Sequence, residues 1–435
     1  MNDDQRTGVD IEALTAEIDH RLKDADAALA RDYPGERAGR QPVHTLYVPA
    51  DQVEPTLLAS YGNQAQMSIV ENGAEFLDVL DGDEDLVGRV LAKLEREPVE
   101  DLRIDFEDGY GTRPDLEEDE TARRAGSVLA QWVNDGGAPP FHGIRFKSLE
   151  QSTRGRGLRT LALFLESLLG SAGLPAGFVV TLPKVTSVDQ VEAMTVAAEC
   201  LEKDLSLPSG ALRFELQVEA PQAVLGSDGT VLVARMIHAS AGRCAGLHYG
   251  TYDYSADLGI APDQQSLEHP VADHAKAVMQ AAAAGTGVRL SDGSTNLLPV
   301  GDADAVRAGW ANHMRLVRRS LERGFYQGWD LHPAQLPTRY AATFEFFRSG
   351  LEPAVERLRA YALKSRVPAD DPEGMLGNPT RVQDEPATAR AMAAFLLRGL
   401  DCGAMTDAEV ATASGLNLNK LTELAGRPVE KRKAG

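Results

Sequence analysis

Short apolar runs alternate with longer stretches whose apolar positions recur every three or four residues, and this alternation sets the first expectation. Strands are predicted at 43–48, 102–106, 143–146, 178–182, 213–218, 244–248, 287–291 and 328–331. Helices are predicted between the later ones, at 157–170, 187–203, 229–240, 266–284 and 303–323, the last two closed by Gly285 and Gly324. Strands separated by crossover helices pair in parallel, and eight such units predict an α/β fold, a closed (β/α)8 TIM barrel. Residues 9–32 carry Ile11, Leu14, Ile18 and Leu22 at helical spacing and predict a polar amphipathic helix outside the core, ended by Pro34-Gly35. Beyond about residue 345 the alternation stops. Helices are expected at 352–365 and 385–400, with a Pro/Asp/Gly-rich connector at 366–384 between them. Thr406 and Glu409 suit a capping box before a final helix, followed by a basic tail at 430–433. The expected division is an N-terminal extension (1–40), a barrel (41–345) and a C-terminal helical appendage (346–435) serving as lid or oligomerisation arm.

Composition narrows the function classes. The chain has 435 residues, 43% of them hydrophobic, which is ample for a large core, and a formal net charge of −21. Such a charge repels nucleic acid and anionic membrane surfaces, so neither partner is expected. Cys200, Cys244 and Cys402 lie far apart without C-x-x-C spacing, which points away from a disulfide framework or a zinc site and toward the cytoplasm. The N-terminus lacks an apolar leader, and no stretch approaches the roughly 20 apolar residues of a membrane span.

In a barrel of this kind chemistry collects at the C-terminal strand ends. Asp105, Glu107 and Asp108 follow the second strand, Arg145 and Lys147 the third, Lys184 the fourth, Glu219 the fifth, Asp253 and Asp257 the sixth, Asp292 the seventh and His332 the eighth. Each alone has an ordinary explanation as a helix cap or a local ion pair; a charged or imidazole group at seven successive strand ends is harder to explain by packing. Glu219 and Asp253, on adjacent strands, form the sharpest pair. Two close carboxylates repel unless a proton or cation lies between them, and an all-oxygen donor set suits Mg²⁺, with Mn²⁺ as the alternative. Asp253 is expected in a loop. Arg145 presents a planar fork for a carboxylate or developing enolate, or else pairs with Asp105 or Glu107. Lys147, two residues on, is expected on the same side. Arg154, Arg156 and Arg159 lie in a glycine-rich segment that either binds an anion or balances local charge.

The order of these motifs resembles the citrate lyase β-subunit-like group of the HpcH/HpaI aldolase superfamily, related to malyl-CoA lyases and malate synthases. The resemblance covers about residues 43–340 and rests on Leu46-Tyr47-Val48-Pro49, Asp105-Phe106-Glu107-Asp108, Arg145, Leu182-Pro183-Lys184, Glu219, the run Gly250 to Gly259, and His332-Pro333-Ala334-Gln335. It implies a Mg²⁺-dependent carbon–carbon lyase, or the condensing counterpart, working through a metal-bound enolate on a small carboxylate or keto acid, free or as a CoA thioester. By the same resemblance Glu219 and Asp253 hold the metal and Arg145 with Asp105, Glu107 and Asp108 is catalytic; Lys147, Lys184, Gly250, Thr251, Arg154 and His332 are expected to line the substrate site. A homo-oligomer, trimer or hexamer, is implied as well.

The chain departs from the group in three places. Glu107-Asp108 stands where the metal-dependent aldolases proper have Glu-His, Arg145-Phe146-Lys147 replaces Arg-x-Asn, and Trp329-Asp330 replaces the Lys before His-Pro. These changes fall at the substrate pocket and leave the general acid/base unassigned. Two other readings stay open: thioester hydrolysis or enol-phosphate chemistry on the same site, and a non-catalytic barrel that senses or scaffolds.

Overall fold

The computed structural model of the protein describes residues 9–364 and 385–428, without the side chains of 362–364. Eight strands form the centre: β1 (His44–Pro49), β2 (Asp101–Asp105), β3 (Phe141–Arg145), β4 (Phe178–Leu182), β5 (Phe214–Val218), β6 (Cys244–Tyr249), β7 (Arg289–Ser291) and β8 (Gly328–Asp330). All paired neighbours are parallel, in the order β7-β6-β5-β4-β3-β2-β1-β8. The seam between β7 and β8 is closed by hydrogen bonds from the Asp292 N–H to the Gln327 carbonyl (2.8 Å) and from the Trp329 N–H to the Gly293 carbonyl (3.1 Å). The expected (β/α)8 barrel is therefore the fold.

Apolar side chains on the outer strand faces, among them Leu102, Ile104, Ile144, Val180 and Leu216, are buried under the surrounding helices. Each such side chain contributes roughly 1.5–3 kcal/mol. The barrel interior is different. Arg103 crosses from β2 to Glu215 on β5 with two bonds of 2.9 Å, and it also pairs with Asp101. His248 on β6 reaches Glu215 (3.0 Å) and takes the Trp329 indole N–H (3.1 Å). Thr45 on β1 donates to Asp101 (2.8 Å). Period-two alternation along β2 (Asp101, Arg103, Asp105) and β5 (Glu215, Gln217, Glu219) sends these charges inward and stacks them toward the C-terminal mouth.

Several helices were not predicted. Leu57–Glu71, Gly73–Val79 and Glu84–Arg96 fill the space between β1 and β2, and Asp115–Asn134 follows β2. The last buries Ala122, Ala125, Gly126 and Ala130 together with the larger Val128, Leu129 and Trp132. At Gly126 an added Cβ would lie 2.5 Å from the Phe164 carbonyl oxygen, which explains the close helix packing there. Residues 225–231 form a turn closed by a Leu225–Val231 bridge, and the helix predicted from 229 begins at Leu232.

The N-terminal helix Ile11–Asp32 buries none of its residues, and its apolar stripe is open to solvent. The C-terminal helices Leu351–Lys364, Pro386–Asp401, Asp407–Ser414 and Leu418–Ala425 build a second apolar core against Glu84–Arg96 and Leu336–Ser349 on the barrel's flank. The capping box forms as expected, Thr406 with Glu409. The predicted connector, from residue 366 to 384, and the basic tail lie outside the described residues. No described helix is long and apolar enough to cross a membrane, and Cys200, Cys244 and Cys402 are free.

Candidate active site

Register brings the first pair together. Asp105 and Arg145 are paired positions at the ends of β2 and β3, and the guanidinium takes both Asp105 oxygens, at 2.7 and 2.6 Å. The same carboxylate accepts the N–H groups of Glu107 and Gly109, each at 2.9 Å, so it shapes the following loop as well as aiming the arginine. Arg145 also lies 3.5 Å from Glu107 and with its guanidinium carbon 4.8 Å from the centre of the Tyr47 ring. Burial alone would lower its pKa, but Asp105 outweighs burial and the net shift is upward, so the group stays a cation.

Lys184 carries the second cation. It adopts a left-handed backbone, φ 51°, rare for a residue with a side chain. In that conformation its backbone N–H donates to Glu219 Oε1 (2.7 Å) while its ammonium reaches Glu107 (3.0 Å), Asp108 (2.9 Å) and Asp253 (2.9 Å). Burial works against this charge, yet Glu219 and Glu107 more than offset it and raise the lysine pKa.

Glu219 follows β5 and is 3% exposed. Burial is the main reason its carboxyl is pushed up to about 8; Lys184 and Arg145 oppose the shift, while Glu107 and Asp253 add to it. Asp253 is not in a loop as predicted but in the first turn of a short helix, Thr251–Asp257, with its side chain half exposed. Asp257 is exposed in the last turn of that helix. Gly250 makes the junction. Its N–H donates to the Val218 carbonyl (3.0 Å), and a Cβ there would lie 2.4 Å from Glu219 Cβ and 2.8 Å from its Oε2. Gly250→Ala is therefore expected to fold but to displace Glu219, with a lowered melting temperature as the measure.

The remaining expected site residues are placed differently. Lys147 does not face the mouth with Arg145: its ammonium holds the carbonyls of Phe106 (2.7 Å) and Gly111 (3.0 Å) and lies 3.3 Å from Glu118, so it braces the loop after β2. Thr251 is buried and donates to the Ser294 carbonyl (3.2 Å). His332 caps the short turn Pro333–Gln335, its Nδ1 accepting the Ala334 N–H (3.1 Å), and burial lowers its pKa. Arg154 is exposed at the start of the helix Arg154–Leu169, whereas Arg156 and Arg159 both bind Asp119, the charge-balance outcome for those two. Asp292 turns away from the mouth to Lys276 (3.0 Å) and Ser320 (2.6 Å).

Two groups have no role assigned in the sequence reading. The Tyr47 hydroxyl and both polar atoms of Gln217 are buried without a hydrogen-bond partner among the described residues. Gln217 lies between Glu215 and Glu219 on the inward face of β5, and Tyr47 faces Arg145 and Trp329. The alternation along β1 and β5 was the available signal. Unpaired buried polar atoms beneath a charged mouth are where an ordered water or a ligand's polar group belongs.

Among the described residues no three acidic, histidine or cysteine side chains converge as a ready-made metal cage. Glu219, buried, and Asp253, half exposed, offer an all-oxygen donor pair at the mouth, the chemistry a hard cation that keeps water or substrate in its other positions would take. Polar contacts of the described C-terminal helices with the rest of the chain include those to Arg40, Glu36 and Arg89.

Fold and strand-end charges together define a (β/α)8 barrel with a charged C-terminal mouth. A citrate lyase structure from Burkholderia xenovorans superposes with a TM-score of 0.56 at 18% identity, covering 86% of this chain and 96% of the other. Further similarities are a Haloferax volcanii malate synthase in a ternary complex with pyruvate and acetyl-CoA (TM-score 0.49, 15% identity, 70% and 71% covered) and the M. tuberculosis citrate lyase β subunit complexed with oxaloacetate and magnesium (0.42, 18%, 69% and 96%). The first likeness shows a shared fold. Residues 22–429 match the family described as a domain of unknown function, DUF6986, and the chain belongs to that family. No curated protein matches the chain.

Proposed function

We propose that the protein is a divalent-cation-dependent carbon–carbon lyase, or its condensing counterpart, acting on a small carboxylated substrate or its CoA thioester. The observation that carries this reading is the mouth itself: two cations, Arg145 and Lys184, held by acidic residues around a buried carboxyl, Glu219, beside the half-exposed Asp253. Glu219 and Asp253 would hold the cation, Mg²⁺ by preference, which when bound polarises the carbonyl of a 2-keto acid. Arg145 supplies a fixed guanidinium, already oriented by Asp105, where negative charge develops on an enolate oxygen as the carbon–carbon bond breaks. Lys184 retains Glu107 and Asp108 as partners and keeps the anionic wall of the mouth from repelling an anionic substrate. Tyr47 and Gln217, unpaired below, are the donors and acceptors left for the substrate or its water.

Calorimetry tests the reading. The protein should bind oxalate or pyruvate in the presence of Mg²⁺ and not after chelation, and Asp253→Asn should lose that binding while unfolding at the parental temperature. Parental affinity in Asp253→Asn would remove the assignment.

A further inference from the structure

At the opposite, N-terminal end of the barrel lies a cavity of about 300 Å³. Three parts of the chain meet there: the connector between the first helix and β1, the start of β7, and the C-terminal helices. Arg37, Arg289, Arg398 and Arg427 all line it. Arg398 pairs with Glu36 (2.9 Å) and Arg427 with Asp401 (2.6 Å). Arg37 and Arg289 have no acidic partner within ion-pair distance among the described residues; Arg37 donates to the Cys244 carbonyl (2.8 Å) and Arg289 to the Gly39 carbonyl (3.4 Å). Four guanidiniums against two carboxylates leave a local surplus of two positive charges in a protein of net charge −21.

The arginines are also prepared for an anion. Arg289 lies over the Phe141 ring (5.6 Å) and Arg398 over the Tyr326 ring (4.6 Å), which fixes the planes of their forks. Burial, with Arg37 and Arg427 nearby, lowers the Arg289 pKa to about 10, the direction expected of a cation lacking its counter-charge. The wall opposite is backbone: Gly287 has φ 75°, and a Cβ there would lie 2.9 Å from the Gly35 carbonyl oxygen, so the two strands of chain approach more closely than side chains permit.

We propose that this cavity binds a small dianion, the chemistry shared by phosphate monoesters and short dicarboxylates, and that the bound anion ties the connector and the C-terminal helices to the barrel. The site is separate from the mouth and does not depend on the function proposed for it.

Thermal unfolding of the full chain in chelator, at constant ionic strength set with chloride, tests this with inorganic phosphate and with succinate as probes. At least one probe should raise the melting temperature saturably, and which one does so identifies the source of the dianion. Arg37→Ala with Arg289→Ala should abolish the saturable response while unfolding, without anion, at or above the parental temperature, because two uncompensated charges are gone. Asp253→Asn should respond like the parent. Should the double variant not fold, Arg289→Lys retains the charge without the fork and is expected to weaken the response at least tenfold in probe concentration. No saturable response in the parent, a parental response in the double variant or in Arg289→Lys, or a lost response in Asp253→Asn each overturns the proposal.

Discussion

Glu219→Gln is expected to have opposite effects on ligand binding and on stability. Oxalate binding in Mg²⁺ should fall by on the order of a hundredfold or more, because the neutral amide removes a full charge from the donor pair. The metal-free variant should nevertheless be more stable than the parent at alkaline pH. Burial raises the Glu219 carboxyl from an ordinary 4.5 to about 8. Between those values the folded protein keeps a proton that the unfolded chain has released, so this group's contribution is fully present below about pH 4.5 and is lost as pH rises through 8. Glutamine does not titrate and still offers Oε1 to the Lys184 N–H. The stability difference in favour of the variant should thus widen from pH 5 to 8, by on the order of a few kcal/mol, and level off above. Urea unfolding in chelator at pH 5, 7 and 9 measures it; a constant difference across that range contradicts the assigned ionisation.

Arg103→Met should produce the largest loss of stability. Arg103 is buried and provides the charge opposite Glu215 and Asp101 inside the barrel. Burial raises both carboxyls; at Glu215 Arg103 and His248 outweigh it and hold the group well below the usual range, whereas at Asp101 burial wins and the pKa is raised. Removing the guanidinium leaves the buried Glu215 carboxylate with the Thr181 hydroxyl and the His248 ring beside it, and breaking such a pair costs about 3–5 kcal/mol. Adding Glu215→Leu should recover much of the loss, since replacing both partners with apolar groups is far milder than removing one. Denaturant titration of the two single variants and the double variant provides the cycle. Additive losses would mean that the Arg103–Glu215 contact contributes little.

Much of the fold was legible in one dimension. Eight apolar runs separated by helical periodicity led to the barrel, and placing strand ends led to Asp105, Arg145, Lys184, Glu219 and Asp253. The helices missed include Glu84–Arg96, where Leu86, Val90 and Leu94 recur at helical spacing, and Asp115–Asn134, where Ala122, Ala125 and Gly126 are buried among larger residues. Lys147 was misplaced because alternation holds only while the strand continues: β3 ends at Arg145, and two residues later the side chain is free to turn to the Phe106 and Gly111 carbonyls.

By itself the sequence determined the eight strands, their parallel order and which charged groups stand at strand ends, because these follow from local periodicity and from chain direction. Only the tertiary structure decided which of those charges meet. The left-handed turn at Lys184 brings one ammonium to three carboxylates, Gly250 lets β6 pass against Glu219, and the connector and C-terminal helices gather four arginines at the far end. Such meetings depend on residues tens to hundreds of positions apart, and distance in space is not a property that spacing along the chain encodes.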